Sequence, residues 1–422
     1  MSGTRVAFET LGCKLNQAET EQLAREMITA GYELVKSVDE ADVYILNTCT
    51  VTHIADRKSR NLLRQAQRRN SHARLIATGC YAERAPQELS RIEGVDLVIG
   101  NEQKAHVLDR LQELGCLASS SPSGQGLREY SRNRSFLKIQ DGCHNFCSYC
   151  IVPLVRSRVT SVPVEQIITE VQKRVSGGVK EVVITGTEIG EYSSDGIGLT
   201  GLLKRVLAET AVTRLRLSSL QPQEITAELL ELCQDSRLCP HLHLSLQSGS
   251  DSVLERMKRR YTSADYQLAV TRIRKVVPDA AFTTDVIVGF PGESESEFAE
   301  SCEFCRQTSF ARIHVFPFSP RPGTEAVGMP DQVSESVKKE RAQKMLALAE
   351  ESARDFRQRF LGRTMPVLWE QKSGGVWSGY TGNYIRVYTK SGEDLTNQLI
   401  PVKLDRVWKD GVWGEVVKPL AS

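Results

Sequence analysis

Three times in its first eighty residues the chain repeats one pattern: a short apolar run, a cysteine, and a stretch with helical periodicity. The runs RVAFET, ADVYILNT and ARLIATG end shortly before Cys13, Cys49 and Cys80, and a fourth run, VDLVIG, closes the series. Apolar runs that alternate with helices predict parallel strands joined by crossover helices. Because ligands of open α/β sheets bind beyond the carboxyl ends of the strands, the three cysteines are predicted to meet at one edge. Three buried structural thiols are the alternative, since free cysteine is commonly a core residue.

The rest of the chain predicts two further folding units after this first α/β domain, residues 1–115. Residues 116–134 are rich in serine, glycine and polar residues and read as a linker. Strand and helix patterns alternate again over 135–330, where SFLKI, EVVITG, RLRLSS, HLHLSL, TTDVIVGF and RIHVFPF predict an open (β/α)6 barrel. Residues 331–361 predict a charged bridging helix. Residues 362–422 hold all four tryptophans and short strand-like segments, which predict a small all-β barrel.

Composition limits the possible functions. A chain of 422 residues with 40% apolar and 25% charged residues has ample core for several domains. The balance of 54 basic and 52 acidic residues excludes a histone-like basic chain. No run approaches the length of a membrane span, and the first residues lack the pattern of a signal peptide, so a cytoplasmic protein without membrane contact is predicted. Eleven cysteines in such a protein favour metal or redox chemistry over disulfides.

The strongest chemical signal is a CxxxCxxC motif directly after the first predicted barrel strand. Its thiols are Cys143, Cys147 and Cys150, and thiolates are soft ligands suited to zinc or iron–sulfur clusters. Three cysteines without a fourth leave one iron of a four-iron cluster open, whereas a structural zinc site is expected to close all four positions. The alternative is a zinc knuckle completed by His144 or by a remote cysteine.

The motif, with Tyr149 before its last cysteine and a six-unit barrel around it, resembles the radical S-adenosylmethionine superfamily. The resemblance implies that the three cysteines hold a 4Fe–4S cluster whose open iron takes the methionine part of S-adenosylmethionine. One-electron reduction then releases a 5′-deoxyadenosyl radical. Segments at later strand ends match those that border the cofactor in relatives. The residues that the resemblance assigns to this pocket are Tyr149, Gly186, Glu188, Ser218, Gln247, Asp285 and Gly289.

The second cysteine set and the small β-domain resemble one family of that superfamily, the methylthiotransferases, over nearly the whole chain. The N-terminal segments that carry the match are LGCKLNQAE, LNTCTVT and TGCYAE. The resemblance implies that Cys13, Cys49 and Cys80 hold a second 4Fe–4S cluster, which carries the sulfur to be transferred. It also implies that all six cysteines serve catalysis as cluster ligands, and that the C-terminal barrel is an RNA-binding TRAM domain.

Five shorter segments resemble the subgroup that methylthiolates threonylcarbamoyladenosine in tRNA at carbon 2 of the base. They are PHLHLSLQSGS from Pro240, MKRRY from Met257, HVFPFS from His314, PGT from Pro322 and GNY from Gly382. The resemblance implies a tRNA anticodon stem-loop as substrate, with an electron donor and a sulfur donor as further partners. Isopentenyladenosine in tRNA and an aspartate of a ribosomal protein are alternatives within the family. From a different class, a non-catalytic, metal-bearing RNA-binding protein is the alternative.

One segment departs from the relatives. After the CxxxCxxC motif they commonly carry an aromatic residue and a glycine, whereas this chain reads Pro153-Leu-Val-Arg-Ser-Arg158. The sequence predicts no role for this segment. Nothing completes a site beside Cys302 and Cys305 either, so both are predicted to be core or surface thiols. His241 and His243 alternate on one strand and face either the reaction chamber or the core.

Several basic and aromatic groups predict RNA contacts. Between Asp56 and Arg74 the chain carries seven Lys or Arg residues and one acid, and smaller basic groups follow at 256–260 and 272–275. These groups either neutralise RNA phosphates or only solvate helix faces. In the C-terminal domain four aromatic residues either stack on RNA bases or fill the barrel core. They are Trp377, Tyr380, Tyr384 and Tyr388.

Overall fold

The computed structural model describes residues 3–119 and 133–417, so most of the predicted linker lies outside the described residues. The N-terminal unit is a five-stranded parallel sheet in the order β2-β1-β3-β4-β5. Its strands are β1 (Arg5–Thr10), β2 (Glu33–Val35), β3 (Val43–Thr48), β4 (Arg74–Gly79) and β5 (Val95–Ile99). Its helices are α1 (Lys14–Ala30), α2 (His53–Arg69), α3 (Cys80–Arg84), α4 (Pro86–Ser90) and α5 (Val107–Glu113). The predicted parallel α/β fold is confirmed.

Two local features of this sheet differ from the prediction. Strand β2 has only three residues, too few for a visible alternation of apolar and polar side chains, and it was not predicted. The segment that follows Cys80 was predicted as one helical stretch, but it forms two short helices that meet at Ala85. Pro86 lacks a backbone N–H, so it begins a new helix rather than continuing the preceding one.

The central unit is an open barrel of six parallel strands. The strands pair in the orders β12-β9-β6 and β13-β14-β15-β16. Because β12 and β13 are separated only by Ser218, they count as one of the six strands. These strands are β6 (Arg134–Lys138), β9 (Glu181–Thr185), β12 (Arg214–Leu217), β13 (Ser219–Leu220), β14 (His241–Leu244), β15 (Ala281–Val288) and β16 (Arg312–Pro317). Two short hairpin pairs accompany them, β7 (Gln140–Asp141) with β8 (Thr160–Ser161) and β10 (Ser193–Ser194) with β11 (Ile197–Gly198). The predicted open barrel is confirmed.

Helices cover the outside of this barrel and join it to its neighbours. They are α6 (Val152–Val155), α7 (Val164–Ser176), α8 (Leu199–Glu209), α9 (Ala227–Leu232), α10 (Asp251–Arg256), α11 (Ser263–Val276) and α12 (Glu295–Thr308). Helix α1 of the N-terminal unit packs on strand β6 through a small apolar cluster formed by Ala18, Phe136 and Val183. Helix α13 (Glu335–Gln358) bridges to the last unit.

The C-terminal unit is a closed five-stranded barrel in the order β17-β18-β19-β21-β20, as predicted. Its strands are β17 (Thr364–Ser373), β18 (Val376–Thr381), β19 (Arg386–Thr389), β20 (Leu399–Trp408) and β21 (Gly411–Val416). Its loop between β18 and β19 reaches the barrel strands: Arg216 Nη1 donates to the carbonyl of Gly382 at 2.9 Å, and the guanidinium lies 4.2 Å from the ring centre of Tyr384. Arg216 lies on β12 of the open barrel. Through this contact the loop between β18 and β19 helps to close the amino-terminal end of that barrel.

Candidate functional site

The N-terminal cysteines lie at one edge of their sheet, as predicted. Cys13 precedes α1, Cys49 follows β3, and Cys80 is the first residue of α3. A Cβ placed on Gly12 would lie 2.8 Å from the Cys49 sulfur, so the loop before α1 lies directly on that thiol. Burial, together with the nearby thiols of Cys13 and Cys80, raises the pKa of Cys49 to about 12. A metal that binds such thiols must displace their protons.

The CxxxCxxC cysteines lie on the loop after β7. The backbone N–H of Asn145 donates to the Cys143 sulfur at 3.3 Å, and Arg259 Nη1 donates to the Cys147 sulfur at 3.2 Å. Burial raises the pKa of Cys143 to about 11 and that of Cys150 to about 12. Donors directed at sulfur stabilise the thiolate form that a metal requires.

His144, which the sequence offers as a fourth zinc ligand, has an exposed side chain, and its Nδ1 lies 3.9 Å from a carboxylate oxygen of Glu191. A structural zinc site would need four ligands around the ion, whereas a cluster ligated by three cysteines leaves one iron open.

A chamber of about 180 Å³ lies between Cys150 of the motif and the segment that follows Cys49. Val51 of the N-terminal unit forms part of its wall, together with Tyr149, Cys150, Gln247 and Phe316 of the barrel. Asp285 also lines it. Three of the predicted cofactor residues, Tyr149, Gln247 and Asp285, are therefore brought together beside a cysteine ligand.

Gln247 has a strained backbone. Its φ of 68° lies in the left-handed region, which a residue with a Cβ seldom occupies. Hydrogen bonds of 2.8 Å to the Asp285 carbonyl and 2.9 Å from the Ile287 N–H hold it there. Such strain is maintained where the surroundings fix a side chain for function.

The other predicted cofactor residues surround the same loop or support it. Glu188 and Ser218 are buried, Glu188 pairs with the carboxyl group of Glu224, and Ser218 Oγ has no hydrogen-bond partner within the described part of the chain. An unpaired buried hydroxyl at a strand end fits a ligand that brings a hydrogen-bonding group. Gly186 packs on Gln140, where a Cβ would lie 2.9 Å from the Gln140 carbonyl oxygen. The Gly289 N–H donates to Glu293 at 2.6 Å, and this glycine does not line the chamber.

Sequence reasoning missed two residues beside Glu188. Gln221 donates its side-chain N–H to Glu188, and Arg259 Nη2 donates to Gln221 Oε1 at 3.0 Å. Burial and the neighbouring Glu188 carboxylate raise the pKa of Glu224 to about 9, so Glu224 is protonated at neutral pH. This chain of groups can hold the ammonium and carboxylate of an amino acid. Arg259 stood in a basic run predicted for RNA, and no sequence signal singled out Gln221.

The atypical segment after the motif also has a place in the structure. Helix α6 lies within it, and the Val155 carbonyl accepts from Asn101 Nδ2 at 2.9 Å. Arg156 is buried and donates to Glu19 and Asp141 at 2.8 and 2.7 Å, and to Asn16 at 3.0 Å. Arg156 thus links α1, which follows Cys13, to β7, which precedes Cys143.

Both predicted options for the histidines were tested by the geometry. His241 and His243 are buried and face the barrel interior, where Thr283 Oγ1 lies 3.2 Å from His241 Nε2 and 3.0 Å from His243 Nδ1. His241 packs on Tyr384 with ring centres 4.8 Å apart. His243 Nε2 lies 3.5 Å from the Asp285 carboxylate, so only His243 is directed to the chamber wall.

The basic side chains predicted to contact RNA differ in whether they already make contacts within the protein. Arg256 pairs with Glu297, Lys258 pairs with Glu325, and Arg259 lies at the motif loop, so the group at 256–260 is largely consumed within the protein. On α2, by contrast, four basic side chains are exposed and make no ion pair within the described ranges. These four are Arg57, Lys58, Arg64 and Arg68.

Two of the four C-terminal aromatics predicted to stack on RNA or fill the core are buried. Trp377 and Tyr388 are buried, and the half-buried Tyr380 and Tyr384 pack around the guanidinium of Arg134 at 4.7 and 5.3 Å. Trp408 and Trp413 are half-buried too, with ring centres 5.3 Å apart. Lys409 lies 4.2 Å from the ring centre of Trp408, and Arg406 lies 5.5 Å from that of Trp413. The sequence analysis did not single out this pair.

The two thiols at Cys302 and Cys305 lie on α12, half-buried and buried, and no metal-binding group includes them within the described residues. Burial raises the pKa of Cys302. They match the prediction of core or surface thiols. No helix in the described parts of the chain is long and apolar enough to cross a membrane.

Comparisons with known proteins first define the class. Residues 137–305 match the model of the radical SAM superfamily, and residues 5–100 match that of the uncharacterized protein family UPF0004. The solved radical S-adenosylmethionine methyltransferase TsrM from Kitasatospora setae, with cobalamin and a [4Fe-4S] cluster bound, superposes with a TM-score of 0.57. At 14% identity, over 89% of this chain and 80% of that chain, this likeness shows a shared fold alone.

Curated relatives then define the family. The threonylcarbamoyladenosine tRNA methylthiotransferase MtaB of Bacillus subtilis (strain 168) is 38% identical, over 94% of this chain and 93% of that protein. The MtaB of Aquifex aeolicus (strain VF5) is 42% identical over 86% and 92%. The tRNA-2-methylthio-N(6)-dimethylallyladenosine synthase of Syntrophotalea carbinolica (strain DSM 2380 / NBRC 103641 / GraBd1) is 33% identical over 97% and 99%. The chain belongs to the family of radical SAM tRNA methylthiotransferases and is therefore a transferase. Membership of the superfamily implies a 4Fe–4S cluster and S-adenosylmethionine as cofactors.

Proposed function

We propose that this enzyme inserts a methylthio group at carbon 2 of N6-threonylcarbamoyladenosine, next to the anticodon of tRNA. The supporting observation is the set of near full-length relatives named for that nucleoside, at 35–42% identity for four of them. Relatives named for dimethylallyladenosine reach 30–34%. That nucleoside is the second candidate, favoured only by these more distant matches.

We further propose which residues hold the cofactors. Cys143, Cys147 and Cys150 bind one 4Fe–4S cluster, and the three N-terminal cysteines bind a second. The unpaired hydroxyl of Ser218 and the sulfur-directed donors support cofactor binding beside the motif loop. When bound, the clusters and S-adenosylmethionine supply one-electron reduction, a radical and the sulfur, which no amino-acid side chain provides.

The protein's own residues position the reactants. Arg259 and Gln221 orient the amino-acid part of S-adenosylmethionine, and Tyr149, Gln247 and Asp285 border the chamber in which cofactor and base meet. Gly186 allows its strand end to pack on Gln140, and Gly289 allows the end of β15 to pack on Lys338 of α13. Phe316 and Val51 are exposed apolar side chains at the chamber wall. Bringing the reacting atoms into near-contact in a dry site is the main contribution of a protein to such chemistry.

Each unit of the chain then has one task. We propose that 1–115 holds the sulfur-carrying cluster, 135–330 generates the radical, 331–361 connects, and 362–422 binds RNA as a TRAM domain. The exposed basic face of α2 and the Trp408–Trp413 pair bind the anticodon stem-loop, because phosphates are neutralised by basic side chains and bases stack on aromatic rings. An electron donor and a sulfur donor complete the cycle, and a tRNA substrate places the enzyme in the cytoplasm.

Nucleoside mass spectrometry tests the substrate. In cells that lack this enzyme, 2-methylthio-threonylcarbamoyladenosine disappears from tRNA while threonylcarbamoyladenosine accumulates. Wild type and Cys302→Ala restore it, and Cys147→Ala does not. A nucleoside profile that is unchanged by the deletion contradicts the proposal. Loss of the 2-methylthio form of isopentenyladenosine instead supports the second candidate.

A further inference from the structure

A group of polar side chains lies directly below the chamber, on neighbouring barrel strands. Asp285 on β15 and His314 on β16 are register partners, and His243 on β14 is the register partner of Thr283, two residues before Asp285. In-register residues of parallel strands share a face, and residues i and i+2 share it too. Phe316, two residues after His314, lines the chamber, as Asp285 does. Asp285 therefore lines the chamber, and His243 and His314 lie beside it on the same face of the strands.

The group has unused hydrogen-bonding capacity. One ligand atom each of His243, Asp285 and His314 lies within 4.8 Å of the others. His314 makes no hydrogen bond within the described residues, and its nearest ring contact is His243, at 6.1 Å between centres. Lys14 interacts electrostatically with Asp285 and His314, yet it has no carboxylate within ion-pair distance in the described parts of the chain.

The layer below this group is closed and satisfied, unlike the group itself. Arg216 donates to Glu181 at 2.7 and 3.1 Å and stacks on Tyr384. Arg134 pairs with Glu370 and contacts the same tyrosine. These cations have their partners within the protein, so they act as a floor. Lys14, which interacts electrostatically with Arg216, Arg134 and Asp285, and His314 remain as the cation and the imidazole without a partner within the described residues.

We propose that Lys14, His243, Asp285 and His314 form the subsite that recognises a polar, carboxylate-bearing substituent on the target base. The inference rests on the proposed function and names the residues that would select its substrate. The threonylcarbamoyl group offers a carboxylate and a carbonyl as acceptors, and N–H and hydroxyl groups as donors. Lys14 and His314 donate to the acceptors, and the Asp285 carboxylate, oriented by His243, accepts from the donors.

The same chemistry explains why an apolar substituent is rejected. An isopentenyl group in this space would leave the Lys14 ammonium and the His314 imidazole without partners, while His243 and Asp285 would keep only each other and Thr283. A site that is built to hydrogen-bond a substrate discriminates strongly against an analogue that lacks the partner groups. Two of the segments that resemble the threonylcarbamoyladenosine subgroup, PHLHLSLQSGS and HVFPFS, supply His243 and His314. The structure brings these two distant segments together at one place.

A divalent metal ion is the competing occupant. Two histidines and one carboxylate at this spacing can bind such an ion. The ammonium of Lys14, which interacts with both Asp285 and His314, disfavours a second cation there. Metal analysis of the protein therefore belongs to the test.

The test measures substrate discrimination. Anticodon stem-loop RNAs that carry threonylcarbamoyladenosine or isopentenyladenosine compete in one reaction, and the ratio of their kcat/KM values is determined. His314→Leu and Lys14→Met are expected to lower this ratio about 10- to 100-fold, and His314→Gln, which keeps a donor, is expected to restore part of it. His106→Leu, an exposed histidine of the N-terminal unit, serves as the matched control. Misfolding or cluster loss lowers both rates together and leaves the ratio unchanged, so the ratio reports recognition.

Binding provides a second readout without the clusters. Fluorescence anisotropy of the same RNAs on cluster-free protein is expected to show the same loss of preference in His314→Leu. A wild type that prefers the threonylcarbamoyl RNA, with a ratio that no variant moves, overturns the subsite. A wild type that prefers the isopentenyl RNA overturns the proposed function instead. One equivalent of zinc or iron that survives removal of all six cysteines and is lost in His314→Leu also overturns the subsite, in favour of a metal site.

Discussion

Glu19 is the only acid that contacts three cations at the interface between the N-terminal sheet and the barrel, within the part of the chain that the structure describes. Its carboxylate lies 2.5 Å from Lys104, 3.2 Å from Lys138 and 2.8 Å from Arg156. Glu19 and Arg156 are only 5% and 3% exposed, so water screens this network little. Glu19→Gln keeps the size of the side chain, leaves Lys138 and Arg156 with Asp141 as their one remaining acid, and leaves Lys104 with none. Loss of one partner from a buried ion pair costs about 3–5 kcal/mol.

The prediction includes a pH dependence. Burial alone would raise the pKa of Glu19, but Lys104, Arg156 and Lys138 together hold it well below its usual value. A carboxyl group with a depressed pKa contributes stability above its unfolded pKa, near 4.5, and this stability is lost as the pH falls through the folded value. Wild type therefore loses this contribution below about pH 4.5, and Glu19→Gln lacks it at every pH.

Hydrogen exchange with mass spectrometry measures the effect where it occurs. Peptides that cover α1 and β6 report the free energy of opening of this interface. We expect it to fall by about 3–5 kcal/mol at pH 7 in Glu19→Gln, up to the limit set by global unfolding. Glu33→Gln, an exposed acid of β2, is the control. A change below about 1 kcal/mol, equal to that of the control, would refute the reasoning that the network is held by this charge.

Three further outcomes follow from the site. In iron analysis, reconstituted wild type is expected to hold about eight irons, and Cys147→Ala or Cys13→Ala about four. Cys302→Ala is expected to keep the wild-type iron content. About four irons in wild type would contradict a second cluster. Arg259→Met weakens S-adenosylmethionine binding about 10-fold or more in equilibrium dialysis, because the Gln221–Glu188 pair loses its orienting donor; unchanged affinity would remove Arg259 from the pocket. Arg64→Ser lowers the slope of log K against log salt for tRNA binding by about one, and an unchanged slope would place the RNA elsewhere.

The main elements and the cysteine positions could be predicted because they depend on local pattern. The apolar runs before Cys49 and Cys80 are strands buried on both faces, which leaves a nearly continuous apolar signature, and the run before Cys13 is a partly buried strand. Strand β2 could not be predicted because three residues carry no periodicity, and only its pairing with β1 creates it. The helix break at Pro86 was predictable from backbone chemistry but was not predicted.

Side-chain roles were harder to predict because they depend on partners distant in the chain. Arg259 stands in a basic run that resembles an RNA contact, and only the fold places its guanidinium on Cys147 and Gln221. In the sequence, Trp377 and Tyr388 stand in the alternating pattern of exposed strand residues. In the closed small barrel both side chains are buried. A basic or aromatic residue has the same appearance in sequence whether its contacts lie within the protein or outside it.

The atypical segment after the motif shows how two cysteine sets on separate loops are held in one geometry. Arg156 donates to Asn16, three residues after Cys13, and to Asp141, two residues before Cys143. Arg321 of the barrel makes a comparable contact with the N-terminal unit near Cys49. It donates hydrogen bonds to Thr50, next to Cys49, at 2.9 Å and to Asp56 at 2.6 Å. Buried ion pairs of this kind contribute little net stability, because desolvation offsets the attraction, but they fix register. Radical transfer depends on the distance between reacting atoms more than on the stability of the fold, so an interface that fixes register with buried charges suits this enzyme better than an apolar one that can slide.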